Sequence, residues 1–172
     1  VETGLLSELN GDVVFMAVPA EEGIEAEYRL KLLKEGKIKF AGGKQNFIAQ
    51  GEFDDIDLAL MFHSGGDEKK VKVGGTHNGN IKKFVQYRGR EAHAGGKPHE
   101  GINALNAALM GLLGIHAQRE TFRDEDYIRI HPIIIKGGDA VNIVPSDVRI
   151  DMQVRGASFQ AILDASRKVD RA

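Results

Sequence analysis

The sequence predicts an α/β chain in which a first α/β segment is followed by an α+β open-faced sandwich of order β-α-β-β-α. Three patterns predict it. Residues 11–20 form an almost wholly apolar run that reads as a buried strand and stops at Pro19, which has no N–H for a ladder. Residues 101–116 place Ile102, Leu105, Ala108, Leu109, Leu112 and Leu113 at helical spacing. From 148 to 154, Val148, Ile150, Met152 and Val154 alternate with Arg149, Asp151 and Gln153, the period of a half-exposed antiparallel strand.

The remaining elements follow in order. Residues 21–36 set Ile24, Tyr28, Leu30, Leu32 and Leu33 among charges and end at Gly36, an amphipathic helix with a glycine stop. Lys31, Lys34 and Lys37 form its solvated side. Residues 58–62 (Leu-Ala-Leu-Met-Phe) predict a second short buried strand, and the polar, glycine-rich stretch 64–80 a domain boundary. A strand is expected up to Arg88, the helix at 101–116, a strand at 127–135, the alternating strand at 148–154 and a last helix at 159–169. The boundary divides the chain into 1–79 and 80–172. Two helices are expected on one sheet face of the second part, which lacks the further strand such a sandwich wants.

Bulk properties exclude several classes. The 172 residues are 42% hydrophobic and 28% charged with a net charge of -2, so nothing marks a nucleic-acid binder. No apolar run reaches the ~18 residues of a membrane span. Without cysteine there is neither a disulfide nor a thiolate ligand, so any metal must use His, Asp or Glu. A cytoplasmic setting is the expectation. Val1-Glu2-Thr3 reads as a start inside a larger protein.

Five features carry candidate chemistry. Glu21 and Glu22 follow the first expected strand, where open α/β sheets place their sites. Adjacent carboxylates repel, a conflict resolved if one ligates a metal and the other stays a general base; a solvated helix start would serve as well. His63 follows the second expected strand, as ligand or turn residue. His93 stands in the loop Gly89-Arg90-Glu91-Ala92-His93-Ala94-Gly95-Gly96-Lys97-Pro98, which can present an imidazole to a ligand or simply connect two elements. Asn142, in the glycine-rich connection 137–145, offers an amide to a carbonyl or carboxylate. Arg155 at a strand end offers a carboxylate fork or a rim charge.

Taken in order, Val18-Pro19-Ala20-Glu21-Glu22, then His63, then Gly89-x-x-x-His93-Ala94-Gly95 with Gly101-Ile102-Asn103-Ala104, then Gly138-x-x-x-Asn142-Ile143-Val144-Pro145, then Arg155, the sequence resembles the M20 family of metallopeptidases and amidohydrolases over nearly its whole length. The resemblance implies a piece of an α/β metallohydrolase catalytic domain followed by a lid, or dimerisation, domain. It makes Glu21 the general base, Glu22 and His63 metal ligands, His93 a lid group steadying the oxyanion across a homodimer, and Asn142 and Arg155 holders of the substrate's carbonyl or carboxylate. It implies two divalent ions, zinc or else manganese or cobalt, and a small amide or peptide substrate of the N-acyl or aminobenzoyl amino-acid kind. The family's upstream His-and-Asp segment and downstream His ligand have no counterpart here, so the isolated chain is expected to be inactive. The alternative is a non-catalytic dimerisation module; an unrelated binding domain is a weaker third reading.

Overall fold

The computed structural model describes residues 4–21, 26–63, 73–74 and 76–172. The chain divides into two compact units, Val1–Lys70 and Val71–Ala172.

The described part of the first unit holds a 3-10 turn (Leu5–Glu8), helix α1 (Ala26–Lys34) and helix α2 (Gly43–Ala49), and no strand. α1 falls within the expected helix, whose first turn at 22–25 lies outside the described residues. The two apolar runs are not the buried strands that the sequence predicts. Neither belongs to a helix or strand, and Phe15, Leu60 and Phe62 are 92%, 79% and 88% exposed. A strand persists only where a neighbour satisfies its N–H and C=O groups, and neither run pairs with a strand among the described residues. Helix α2 is an element the apolar pattern does not announce. It is anchored by Asn46, whose Oδ1 accepts from Lys39 N and Phe40 N, both at 3.0 Å, and whose Nδ2 donates to Phe40 O (2.7 Å) and Gly42 O (2.9 Å).

The second unit is the open-faced sandwich. Its elements are β1 (Gly79–Arg88), α3 (Ala104–Ala117), β2 (Arg129–Lys136), β3 (Asp147–Gly156) and α4 (Phe159–Arg171). The antiparallel sheet has the order β1-β3-β2, with Ile81 opposite Val154, Val85 opposite Ile150 and Ile130 opposite Val154. Val148, Ile150, Met152 and Val154 are the largest fully buried side chains. Both helices pack on that face: Ala104, Ala108 and Ile115 of α3 and Ala161, Ile162, Ala165 and Val169 of α4 join one core with these strand residues. α4 packs so closely over the sheet's edge that a Cβ on Gly79 would stand 2.9 Å from Ile162 Cδ1.

The buried stripe of α3 differs from the expected one. Its small residues face the sheet, with Leu105 and Leu112 half-buried, whereas Leu109 and Leu113 are 46% and 70% exposed. Close approach to β1 selects this rotation, because a Cβ on Gly111 would fall within 2.1 Å of the Tyr87 hydroxyl. The helix starts at Asn103, whose side chain accepts from Leu105 N and Asn106 N. On the opposite sheet face Asp151 is nearly buried; Oδ2 pairs with Lys82 Nζ at 2.8 Å and Oδ1 has no hydrogen bond. No helix among the described residues is long and apolar enough to cross a membrane.

Candidate functional site

Two groups of candidate residues emerge, one in each unit. In the first, Pro19 cannot extend a ladder and the chain turns at Ala20, which takes a left-handed φ of 51°. The start of α2 abuts this turn: a Cβ on Gly43 would sit 2.2 Å from the Pro19 carbonyl oxygen. The close approach sets Lys44 beside Glu21, with Nζ 2.6 Å from Oε1. His63 Nε2 lies 3.1 Å from the other carboxylate oxygen. The Lys44 hydrogen bond, aided by the field of His63, holds the Glu21 carboxyl below the usual carboxylate range. Glu21 is therefore an ionised acceptor held between two donors. Glu22, the other half of the acidic pair, lies outside the described residues.

Among the described residues no three His, Cys, Asp or Glu side chains come together as a metal centre. A catalytic zinc takes about three protein ligands, and the candidate donors in this chain are Glu22 and His63. That donor set does not by itself fit a metal pair. The sequence pattern does not single out Lys44. The only signal for it is local: the Gly42-Gly43 pair opens a short helix that can approach another backbone, and Lys44 is its next residue.

In the second unit, the loop after β1 and the loop between β2 and β3 are laced together through their backbones. Gly89 N donates to Ser146 O (2.7 Å), Val144 N to Ala92 O (2.9 Å), Ala94 N to Asn142 O (2.9 Å) and Ala104 N to Pro145 O (2.8 Å). His93 and Ile143 form an isolated antiparallel bridge. Ser146 Oγ adds a hydrogen bond to Glu91 at 2.9 Å. The base of the second loop is fixed by Asp147, whose carboxylate accepts from Gln86 (2.7 Å) and pairs with Arg149 (2.8 Å) and Lys136 (3.4 Å). Arg149 first, then Gln86 and Lys136, draw the Asp147 carboxyl down to about 2.

The lacing makes neighbours of His93 and Asn142, both exposed. Arg155 is not with them. It lies at the far end of β3, eight residues or about 26 Å from Asp147 at ~3.3 Å per residue. There its Nε and Nη2 both donate to Gln153 Oε1, at 3.0 and 2.7 Å. The imidazole of His93 is held by its own loop. Nδ1 accepts from Gly95 N (3.2 Å) and Gly96 N (2.9 Å), and Nε2 has no partner among the described residues. An exposed ring with one nitrogen occupied and the other open suits hydrogen bonding to a bound molecule.

Comparisons with known proteins agree with this architecture. Residues 62–172 match the family model of the peptidase dimerisation domain of M20 proteins. A p-aminobenzoyl-glutamate hydrolase chain of Escherichia coli K12 is 30% identical over 155 residues, which is 88% of this chain and 31% of that protein. The Xaa-Arg dipeptidase of Mus musculus is 29% identical over 75% of this chain and 29% of its own length. The indole-3-acetyl-aspartic acid hydrolase of Enterobacter agglomerans is 29% identical over 86% of this chain and 30% of its own length. Among solved structures, the aminobenzoyl-glutamate utilization protein of Klebsiella pneumoniae superposes with a TM-score of 0.61 and 27% identity, over 83% of this chain and 40% of that one. The chain thus spans about three-tenths of the length of the curated relatives it matches.

Proposed function

Because the chain belongs to the M20 peptidase family through its dimerisation domain, we propose that it is a piece of a metal-dependent hydrolase of amide bonds in N-acyl or aminobenzoyl amino acids or small peptides. In this reading residues 1–79 are part of the catalytic domain and 80–172 the lid. The observation that carries it is the adjacency of His93 and Asn142 on one laced platform, with Nε2 of the imidazole open. Relatives named for p-aminobenzoyl-glutamate and indole-3-acetyl-aspartate hydrolysis support an amide whose amine side is an amino acid.

The roles follow from the chemistry of each group. Glu21 accepts the proton of the attacking water. Ionisation by Lys44 suits it to accept rather than donate. His93 donates a hydrogen bond to the oxygen on which negative charge develops as the amide is attacked. Asn142 and Arg155 hold the substrate's carbonyl or carboxylate, the Arg through a planar two-donor fork. Glu22 and His63 would supply two ligands toward a pair of divalent ions, zinc or else manganese or cobalt, and residues outside this chain the others. Such ions would polarise the scissile carbonyl and acidify water.

Self-association of the lid would carry His93 and Asn142 to a partner's cleft. α3 exposes Leu109, Met110 and Leu113 at 46%, 73% and 70%, Ile102 just before it is 56% exposed, and edge strand β2 exposes Ile133 at 60%. Apolar side chains on a helix and an unpaired edge are what a two-fold partner covers. In a homodimer, His93 and Asn142 serve the partner's cleft, and Arg155 stands at the other end of β3.

The test is metal analysis together with hydrolysis of N-acyl and aminobenzoyl amino acids by the intact protein. Glu21→Gln should abolish turnover and leave metal content unchanged; near-normal turnover overturns the assignment. The family match begins at residue 62 and leaves Glu21 and Glu22 outside it. That favours a second reading, a non-catalytic dimerisation module, for which the same assay would find no activity.

A further inference from the structure

The loop around His93 does more than carry the residue. A backbone N–H can only donate, so the bonds from Gly95 and Gly96 require Nδ1 to be an acceptor, without a proton. The proton of the neutral ring is then confined to Nε2. We propose that Gly95 and Gly96 are positioning residues, whose N–H groups lock His93 in the Nε2–H tautomer as a hydrogen-bond donor that cannot act as a base. The inference rests on the reading of His93 as the oxyanion donor and says how the fold enforces it.

The geometry supports a lock and not a passing contact. The backbone of His93 is clamped on both sides: Ala94 N donates to Asn142 O and Lys97 N to His93 O, each at 2.9 Å. The ring is thus fixed relative to the residue that it would work beside. A Cβ on Gly95 would stand 3.5 Å from His93 Cε1, and one on Gly96 3.5 Å from Nδ1, both ordinary contact distances. The amide, and not the missing side chain, is therefore what the ring uses. The two glycines place their backbones within reach of the imidazole, as successive N–H groups of a nest do for an anion. A free imidazole exchanges between tautomers, and only one of them offers a donor at Nε2.

The experiment is nuclear magnetic resonance on the ¹⁵N-labelled chain above the His titration range, with His93 identified by His93→Asn. The proposal expects an unprotonated Nδ1, a protonated Nε2, and a scalar correlation across the hydrogen bond from Gly96 N to His93 Nδ1. A protonated Nδ1, or no correlation from Gly96, overturns it, and this measurement is made on the unaltered chain, His93→Asn serving only to assign the signals. Gly96→Pro removes the shorter of the two bonds and should lose its correlation and raise the share of the second tautomer, whereas Gly96→Ala keeps the N–H and should match the wild type. In the intact protein Gly96→Pro should lower kcat by about tenfold or more with KM little changed, part of the ~10²–10³ that a lost oxyanion donor costs. Normal kcat in Gly96→Pro, alongside an impaired His93→Ala, overturns the positioning role. Normal kcat in His93→Ala would instead overturn the oxyanion role itself, while the tautomer would still be read from the spectrum.

Discussion

Gly89 is the position at which a single methyl group should damage the site most directly. It follows β1 and opens the loop that carries His93, and it lies against the chain entering α3. A Cβ there would stand 2.0 Å from the Ile102 carbonyl oxygen and 3.1 Å from both Ile102 C and Ala104 N. All three obstacles are backbone atoms, so no rotamer change relieves the contact; Ile102 would have to retreat by about 1 Å to restore even a tight separation. That carbonyl accepts from Arg90 N at 3.0 Å, and Ile102 N returns a hydrogen bond to Arg90 O at 2.9 Å. Overpacking costs ~1–3 kcal/mol, and losing both bonds adds about 1 kcal/mol each, so Gly89→Ala should destabilise the second unit by about 3–5 kcal/mol. For a domain of this size that corresponds to a fall in Tm of at least about 12 °C. Urea and thermal unfolding followed by circular dichroism measure it. Gly11→Ala is the control, since nothing lies within 4 Å of its Cβ. A Gly89→Ala variant within about 0.5 kcal/mol of the wild type, the range of a neutral surface change, would refute the reasoning that this junction is closed by backbone contact.

Two further outcomes are expected. Asn103→Ala removes the acceptor for Leu105 N and Asn106 N at the start of α3 and should cost about 1 kcal/mol in the same unfolding assay; no change would mean that the cap is not made in solution. Asp147 has its carboxyl drawn from 3.8 down to about 2 in the fold. A depressed carboxylate contributes stability that is fully present above its unfolded value and lost as pH falls through the folded one. The second unit should therefore weaken between pH 3.8 and about 2, and Asp147→Asn should flatten the stability profile across that window; an unchanged acid limb contradicts the ion cluster.

The second unit is legible in the sequence because its signals are local and agree with one another. The alternation at 148–154 is the strand whose Val148, Ile150, Met152 and Val154 fill the core, and the sheet order places that strand in the middle. The periodicity of α3 announces the element but not its buried side. Burial there is decided by how near the backbone comes to β1, which favours Ala108 and Gly111 over Leu109 and Leu113. In the first unit, apolar runs around Phe15 and Leu60 predict strands, but apolarity states only a preference for burial. A ladder needs a partner, and partner strands are long-range facts. The same holds for Lys44: its approach to Glu21 is set by the packing of Gly43 on Pro19, which no spacing in the sequence announces. His93 and Asn142 are visible as loop residues. Their adjacency follows from the cross-loop hydrogen bonds at Ala92, Ala94 and Val144.

On the function proposed, His93 of the lid completes a hydrolytic site whose base is Glu21, across a dimer. Mixing His93→Ala protomers with Glu21→Gln protomers of the intact protein tests it most directly, with hydrolysis of an aminobenzoyl amino acid as the readout. Each variant alone should be nearly inactive. With random exchange half of the dimers are mixed, and each mixed dimer carries one site with both wild-type groups, so about a quarter of wild-type activity should return. No recovered activity, in a sample where mixed dimers are shown to form, would contradict the action of His93 across the dimer.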